Sequence, residues 1–251
     1  MTPVVMKTTL KEILYLRNLF LQENNFQIRY NACHERGWTD SYLVCYKDNH
    51  IGYGSIKGNE KTTDRDTIFE FYLIPPYRTF SNDAFLELLK LSKAKLIVCQ
   101  SNDPILSAMQ FFYGKNINSD TVLLQEHTTT DLKMDNVIFR KRSDSDIIFD
   151  HKVEPIGAYV LELNKEIVGT GGFLTHYNFP FADLYMEVKE SHRRMGLGSF
   201  LIQEIKKQCY LAGRVPAART GTHNTASKAT LLKAGLSIAG FMLLGEVNSL
   251  H

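Results

Sequence analysis

Several features are scarce in this sequence, and each scarcity excludes something. Trp38 is the single tryptophan, and four cysteines are spread over 251 residues. Those cysteines, Cys33, Cys45, Cys99 and Cys209, form no CxxC pair. The usual zinc spacings are therefore absent, and so is the dense pattern of a disulfide scaffold. No metal site is expected, and the thiols are expected to be reduced. Charge of one sign is lacking too: 29 Lys plus Arg stand against 27 Asp plus Glu, a net +2. That balance provides no electrostatic footprint for nucleic acid or for an anionic membrane surface. No apolar run reaches the roughly 18 residues of a membrane-spanning helix. The opening MTPVVMKTTLKEILYLRNLF mixes charges into its apolar residues, unlike a secretory signal. A soluble, cytoplasmic protein is the expectation.

What remains is an ordinary globular mixture, 44% hydrophobic and 22% charged, long enough for two cored domains. Apolar spacing predicts a helix over 10–24, a strand hairpin over 41–46 and 50–56, and a strand over 68–74 stopped by Pro75-Pro76. A helix over 82–93, a strand over 95–99, a helix over 104–113 and a strand over 122–125 follow. The polar run 127–136, with three consecutive threonines, buries little and reads as a linker. The expected domains are 1–130 and 131–251.

The second half repeats the order. Strands are predicted over 137–141, 158–163, 167–176 and 184–188, then a helix over 198–212, a strand over 217–220, a helix over 226–233 and a strand over 238–247. Both halves read hairpin, strand, helix, strand, helix, strand, which suggests a domain-scale duplication. The fold class is α/β (α+β): a mixed, mostly antiparallel sheet with flanking helices, in two tandem related domains.

The chemically informative segment runs from Val188 to Ser199, VKESHRRMGLGS. A strand ends, a turn with Gly196 and Gly198 follows, and a helix begins. Unpaired N–H groups of a first helical turn, aided by the helix dipole, form an anion site. Glycines there let a diphosphate come close to the backbone, and Arg193 and Arg194 add positive charge at the rim. A Rossmann fingerprint needs a third glycine, and a P-loop needs Lys-Ser or Lys-Thr. Neither is present.

The segment resembles the signature of the GNAT N-acetyltransferase superfamily: Arg or Gln, two residues, Gly, one residue, then Gly or Ala. Arg193, Gly196 and Gly198 meet it, and Asn224, Ser227, Lys233, Gly235 and Leu236 match the downstream pattern of the same family. The resemblance implies acetyl-CoA as co-substrate. Its pyrophosphate would lie on the backbone of Met195, Gly196, Leu197, Gly198 and Ser199. The pantetheine arm would lie along the strand end at Glu187 to Lys189, with Asn224 and Ser227 on the far side. The N–H near Val188 would polarise the acetyl carbonyl. The acceptor would be an amine, on a small molecule or a peptide, attacking the thioester directly.

A base must take a proton from that amine. Asp183 and Glu187 are the candidate catalytic carboxylates, with His176 nearby; alternation puts both carboxylates on the strand face opposite Ala182, Leu184 and Met186. Leu231 stands where many family members carry a tyrosine that protonates the leaving thiolate. A non-catalytic acyl-CoA-binding or regulatory module is therefore the rival reading. In the first half Arg78 lies in the place of Arg193, but Ser81 and Asp83 replace the glycines. A carboxylate there repels a diphosphate, so the first domain reads as a degenerate copy.

Overall fold

The computed structural model describes residues 2–24, 26–28 and 30–248. Its contacts divide the chain into two compact units. One contains the residues up to Phe26, Tyr30–Thr121 and those from Gly240 onward. The other contains Gln27, Ile28 and Val122–Ala239. The polar run 127–136 is not a free linker but part of the second unit. By compactness the chain divides at 121/122 rather than at 130/131, and its last strand returns to the first unit.

The first unit opens with β1 (Val4–Thr8), α1 (Leu10–Glu23), α2 (Tyr30–Glu35), β2 (Thr39–Tyr46), β3 (Asn49–Lys57) and β4 (Thr67–Leu73). A 3-10 turn over Pro75–Phe80 leads to α3 (Ser81–Ser92), β5 (Leu96–Gln100) and α4 (Pro104–Tyr113). Next comes β6 (Gly114–Glu126), whose last residues belong to the second unit. The sheet order is β1-β2-β3-β4-β5 and then β12 (Leu236–Val247). All pairs are antiparallel except β4 with β5. α1 buries Ile13, Leu16, Arg17 and Phe20, a one-face stripe. α4 starts where the Asp103 side chain accepts from the Ile105 and Leu106 N–H groups, with Pro104 in the first turn. Every residue of β4 is buried, because α1 covers one face while α3 and α4 pack on the other.

Between α1 and β4 lies a buried ion network. Arg17 grips Glu70 through Nε (3.0 Å) and Nη2 (2.9 Å), while His34 Nε2 and the Tyr53 hydroxyl reach the same carboxylate at 3.0 and 3.1 Å. Burial alone would push the Glu70 carboxyl up, but Arg17 and His34 outweigh it and hold it at about 2.

The second unit contains β7 (Val137–Lys141), β8 (Tyr159–Leu163), β9 (Glu166–Leu174), β10 (Phe181–Val188), α5 (Leu197–Leu211), β11 (Val215–Gly221) and α6 (Thr225–Lys233). Its strand order is β11-β10-β9-β8-β7. The apolar stripe of α5, Leu197, Leu201, Ile202 and Ile205, packs on Ala182, Leu184 and Val188 of β10. Lys206 of α5, almost fully buried, donates to Thr128 C=O (3.0 Å) and Ala234 C=O (2.6 Å) and pairs with Glu126 (2.9 Å). Gln203 bonds both the N–H and the C=O of Leu132. These two side chains pin the threonine-rich run to the helix.

Two elements go beyond the sequence reading. β1 is a short edge strand that leaves Val4 and Met6 exposed, and α2 is too short to show periodicity. Residues 142–158 contain neither helix nor strand. Among the described residues no helix is long and apolar enough to cross a membrane.

Candidate functional site

β10 and β11 run parallel but stay paired only at Phe181↔Val215, Ala182↔Pro216 and Asp183↔Ala217. On its other edge β10 remains paired with β9 through to Val188↔Gly169. The two strands therefore part after Asp183, and β10 has a bare edge beyond it. Lys189 N–H donates to Val168 C=O (2.9 Å), which fixes the phase of the β9 ladder. Antiparallel alternation then turns the N–H and C=O groups of Met186 and Val188 toward the gap. A peptide-like arm entering the gap would find a ready edge to pair with.

At the end of that edge stands the N-terminus of α5. Gly196 is its cap, at φ +84, and its C=O accepts the Phe200 N–H at 3.1 Å. The N–H groups of Leu197, Gly198 and Ser199 precede that bond, so the helix itself offers them no acceptor. Only glycine adopts the Gly196 conformation without strain, and a Cβ there would meet nothing closer than 3.9 Å. Gly198 has a different reason: a Cβ would lie 3.1 Å from both the Met186 methyl and Thr230. Its missing side chain is occupied by the packing of β10 and α6 on α5, rather than only leaving room for a ligand. Arg193 turns back, its Nε donating to Val188 C=O (3.2 Å). Arg194 and Met195 are exposed, and Arg194 has no ion-pair partner among the described residues. Ser199 is buried and donates its hydroxyl to Thr230 C=O (3.1 Å), which leaves only its backbone for a ligand.

Asn224 caps α6, its side-chain oxygen accepting the Ser227 N–H at 3.0 Å. Asn224 is exposed and Ser227 half-buried. Leu231 is 4% exposed and lies in the apolar core beneath α5. No phenol could replace it without displacing that core.

The two carboxylates predicted on one face of β10 do share it, and they have different surroundings. Glu187 accepts from the backbone N–H groups of Lys152 (2.9 Å), Val153 (3.0 Å) and Glu154 (3.0 Å). Burial would push its carboxyl up, but the three amides outweigh burial and hold it below the usual range. The hydroxyl of its register partner on β9, Thr170, lies 3.1 Å from His151 Nε2 and accepts the Gly157 N–H (3.3 Å). Glu187 and Thr170 thus fasten the irregular loop to the sheet. Asp183, on the last paired rung, meets His176 Nε2 at 3.0 Å and Arg219 Nε at 3.9 Å.

Three residues at this face have no motif in the sequence: His151, Glu154 and Arg219. They come from a loop and from a strand position whose neighbours only the fold supplies. Among the described residues no cluster of His, Cys, Asp and Glu is arranged to hold a metal ion.

The site can be set beside known proteins. Residues 124–236 match the model of the acetyltransferase (GNAT) family. No curated protein sequence matches significantly. Among solved structures, the chain is similar to an acetyltransferase of the GNAT family from Colwellia psychrerythraea, with a TM-score of 0.72 at 13% identity over 97% of this chain and 99% of that one. It is also similar to a tandem GNAT protein from the clavulanic acid biosynthesis pathway (TM-score 0.53, 11% identity, 85% and 84% coverage). A third is a GCN5-related N-acetyltransferase from Sphaerobacter thermophilus (0.51, 12%, 82% and 80%). At such identities the likeness establishes the fold, and the family model ties residues 124–236 to the acetyltransferase (GNAT) family.

Proposed function

We propose that the protein is an acetyl-CoA-dependent N-acetyltransferase, with the co-substrate bound in residues 131–251 and residues 1–130 forming a degenerate copy. The observation that carries this reading is the parting of β10 from β11 after Asp183↔Ala217, beside the glycine-capped start of α5. The diphosphate would be held by the N–H groups of Leu197, Gly198 and Ser199, with Arg194 at the rim. The pantetheine arm would pair with the bare edge at Met186 and Val188, and the Val188 N–H would face the thioester oxygen. Asn224 and Ser227 would border the other side. In the first unit the equivalent helix start carries Asp83 in its first turn and Phe80 at its cap, which suits no anion.

The amine nitrogen attacks the thioester carbon, the C–N bond forms as the C–S bond breaks, and coenzyme A departs. With Glu187 committed to three amides, the Asp183–His176 pair is the better proton acceptor, the carboxylate orienting the imidazole. Leu231 leaves no phenol at the leaving sulfur, and a thiol of ordinary pKa near 8.5 leaves as thiolate without one. The four free cysteines suit a reducing, cytoplasmic setting.

The test is to incubate the full chain with acetyl-CoA and a panel of amines and to follow free thiol. Amine-dependent thiol release is expected. His176→Ala should lower kcat by about 10²–10⁴-fold with acetyl-CoA affinity retained. Tight acetyl-CoA binding with no turnover on any amine would favour the rival, a non-catalytic acyl-CoA-binding module, to which the core position of Leu231 lends some support.

A further inference from the structure

Independently of the acetyl-transfer reading, we infer that the first unit docks on an anionic lipid bilayer. The docking surface is the outer face of α4 together with the lysines beside its C-terminal end.

α4 reads PILSAMQFFY and is the one α-helix among the described residues without a charged side chain. Leu106, Gln110 and Tyr113 are its buried side. Pro104, Ala108, Phe111 and Phe112 form the exposed stripe opposite. Phe111 is 66% exposed and Phe112 69%. A single exposed apolar residue is ordinary, but two adjacent phenyl rings on an uncharged helix form a patch. Together the rings offer about 250 Å² to water. A protein partner of standard size needs about 800 Å² from each side, so this patch is too small to hold one alone. A bilayer requires no matched surface: apolar rings enter the headgroup boundary while basic groups beside them meet anionic headgroups.

The basic groups are in place. Asn248 donates its N–H to Tyr113 C=O (2.8 Å) and its Nδ2 to Gly114 C=O (3.2 Å). The same Asn248 lines a cavity of about 520 Å³ with Lys90, Lys93 and Lys95. Lys115 follows Gly114 directly and is exposed. The end of α4 and the lysine cluster are thus tied together by one asparagine. Leu89, Ala94 and Val247 supply apolar lining to the cavity, and lysine stems cover such surface while their ammonium groups stay in water. Aliphatic lining suits acyl chains rather than nucleobases, which stack on rings.

Lys93 is the C-cap of α3 at φ +55, a left-handed position where glycine is usual. The backbone accepts strain there and keeps a cation. The neighbouring carboxylates are engaged. Glu87 pairs with Lys90 at 2.7 Å, and Glu246 accepts from Asn116 Nδ2 at 3.2 Å. Asp66, whose C=O holds the Lys95 N–H, accepts from the Asn59 N–H and the Thr67 hydroxyl. Lys93, Lys95 and Lys115 have no ion pair among the described residues. The net charge of +2 averages over the whole chain and does not show this local cluster.

The experiment sediments the full chain with phosphatidylcholine vesicles, with and without phosphatidylglycerol. Binding is expected on the anionic vesicles, at least tenfold weaker on phosphatidylcholine alone, and reduced by salt. Lys93→Gln and Lys95→Gln should each weaken it about fivefold. Phe111→Ser with Phe112→Ser should weaken it at least tenfold, with Tm and acetyl-CoA affinity unchanged because all four side chains are exposed. Phe112→Trp in a Trp38→Phe background reads insertion directly, and brominated lipid should quench its fluorescence. Absence of binding to anionic vesicles, full binding by the double phenylalanine variant, or an unquenched Trp would each overturn the inference. So would tighter binding to a single-stranded oligonucleotide than to vesicles. A dimer by light scattering that the double phenylalanine variant dissolves would assign the face to a second copy of the chain and overturn it too.

Discussion

Arg78 and Arg193 make the same bond. Each donates Nε to the carbonyl five residues earlier, Leu73 and Val188 respectively, and each at 3.2 Å. Both carbonyls end a strand that is parting from its parallel neighbour, since β4 pairs with β5 only at Thr67↔Leu96 and Ile68↔Ile97. The two strand ends are thus alike at the level of single atoms, and the arginine holds the turn as much as it offers charge. Arg78→Gln and Arg193→Gln should each destabilise by on the order of 1 kcal/mol. Only the second should also weaken acetyl-CoA. Denaturant titration and calorimetry on both variants check this.

Gly196 and Gly198 should respond differently to alanine. At 196 the cost is conformational, roughly 1–2 kcal/mol for a left-handed residue, with no clash. At 198 the new methyl meets Met186 and Thr230 at 3.1 Å, an overpacking effect of typically 1–3 kcal/mol. Met186→Ala should relieve Gly198→Ala but leave Gly196→Ala unchanged. A double-mutant cycle measures that coupling.

Glu187 should make the loop 142–158 sensitive to acid. Its folded pKa is depressed below the ordinary 4.5, so its contribution is present above that value and is lost as pH falls through the folded value. Glu187→Gln at neutral pH replaces a charged acceptor by a neutral one, about 1–2 kcal/mol less favourable. Hydrogen exchange at the Lys152, Val153 and Glu154 amides should then quicken roughly tenfold. Unchanged protection there would mean that Glu187 does not hold the loop.

Asp103 has the opposite sign. Burial pushes it up to about 6 from an ordinary 3.8, although the Leu106 and Ile105 amides oppose the rise. Ionisation at neutral pH therefore costs folding energy, a cost absent below about 3.8. Asp103→Asn keeps a capping oxygen. At pH 8 it should stabilise by on the order of 1–3 kcal/mol, with the gain shrinking below about pH 6 and vanishing near pH 4. Urea titrations at these three values test the trend.

The sequence was most readable where one short signal governs one element. Asp103-Pro104 marks the start of α4, and Gly196 marks the turn into α5. Elsewhere the cause lies far away in the chain. β6 begins at Gly114, ahead of its apolar core residues Val122, Leu123 and Leu124, because backbone pairing, not side-chain pattern, extends it through the polar residues 115–121. The threonine run looked like a linker because Lys206 and Gln203, which bind it, lie more than 70 residues later in the chain. Glu187 looked like a base because alternation shows only which face it shares with Asp183; the three amides that occupy it belong to a loop with no periodicity. At Gly198 the sequence shows room for a ligand but not the packing that also needs the glycine, because Met186 and Thr230 meet it only in the folded protein.

The first unit takes its outermost β5 neighbour from residues 242–246, paired with 96–100. On the ribosome this unit's first strands are made early, yet its sheet cannot close until residues 242–246 have emerged. Its β5 edge stays open while the entire second unit is synthesised. Synthesis of residues 242–246, rather than completion of the first hundred residues, sets the moment at which the β5 edge becomes protected. A nascent chain arrested after Ala239 should expose that edge to proteases and chaperones, even though every residue of the acetyltransferase match has already been made.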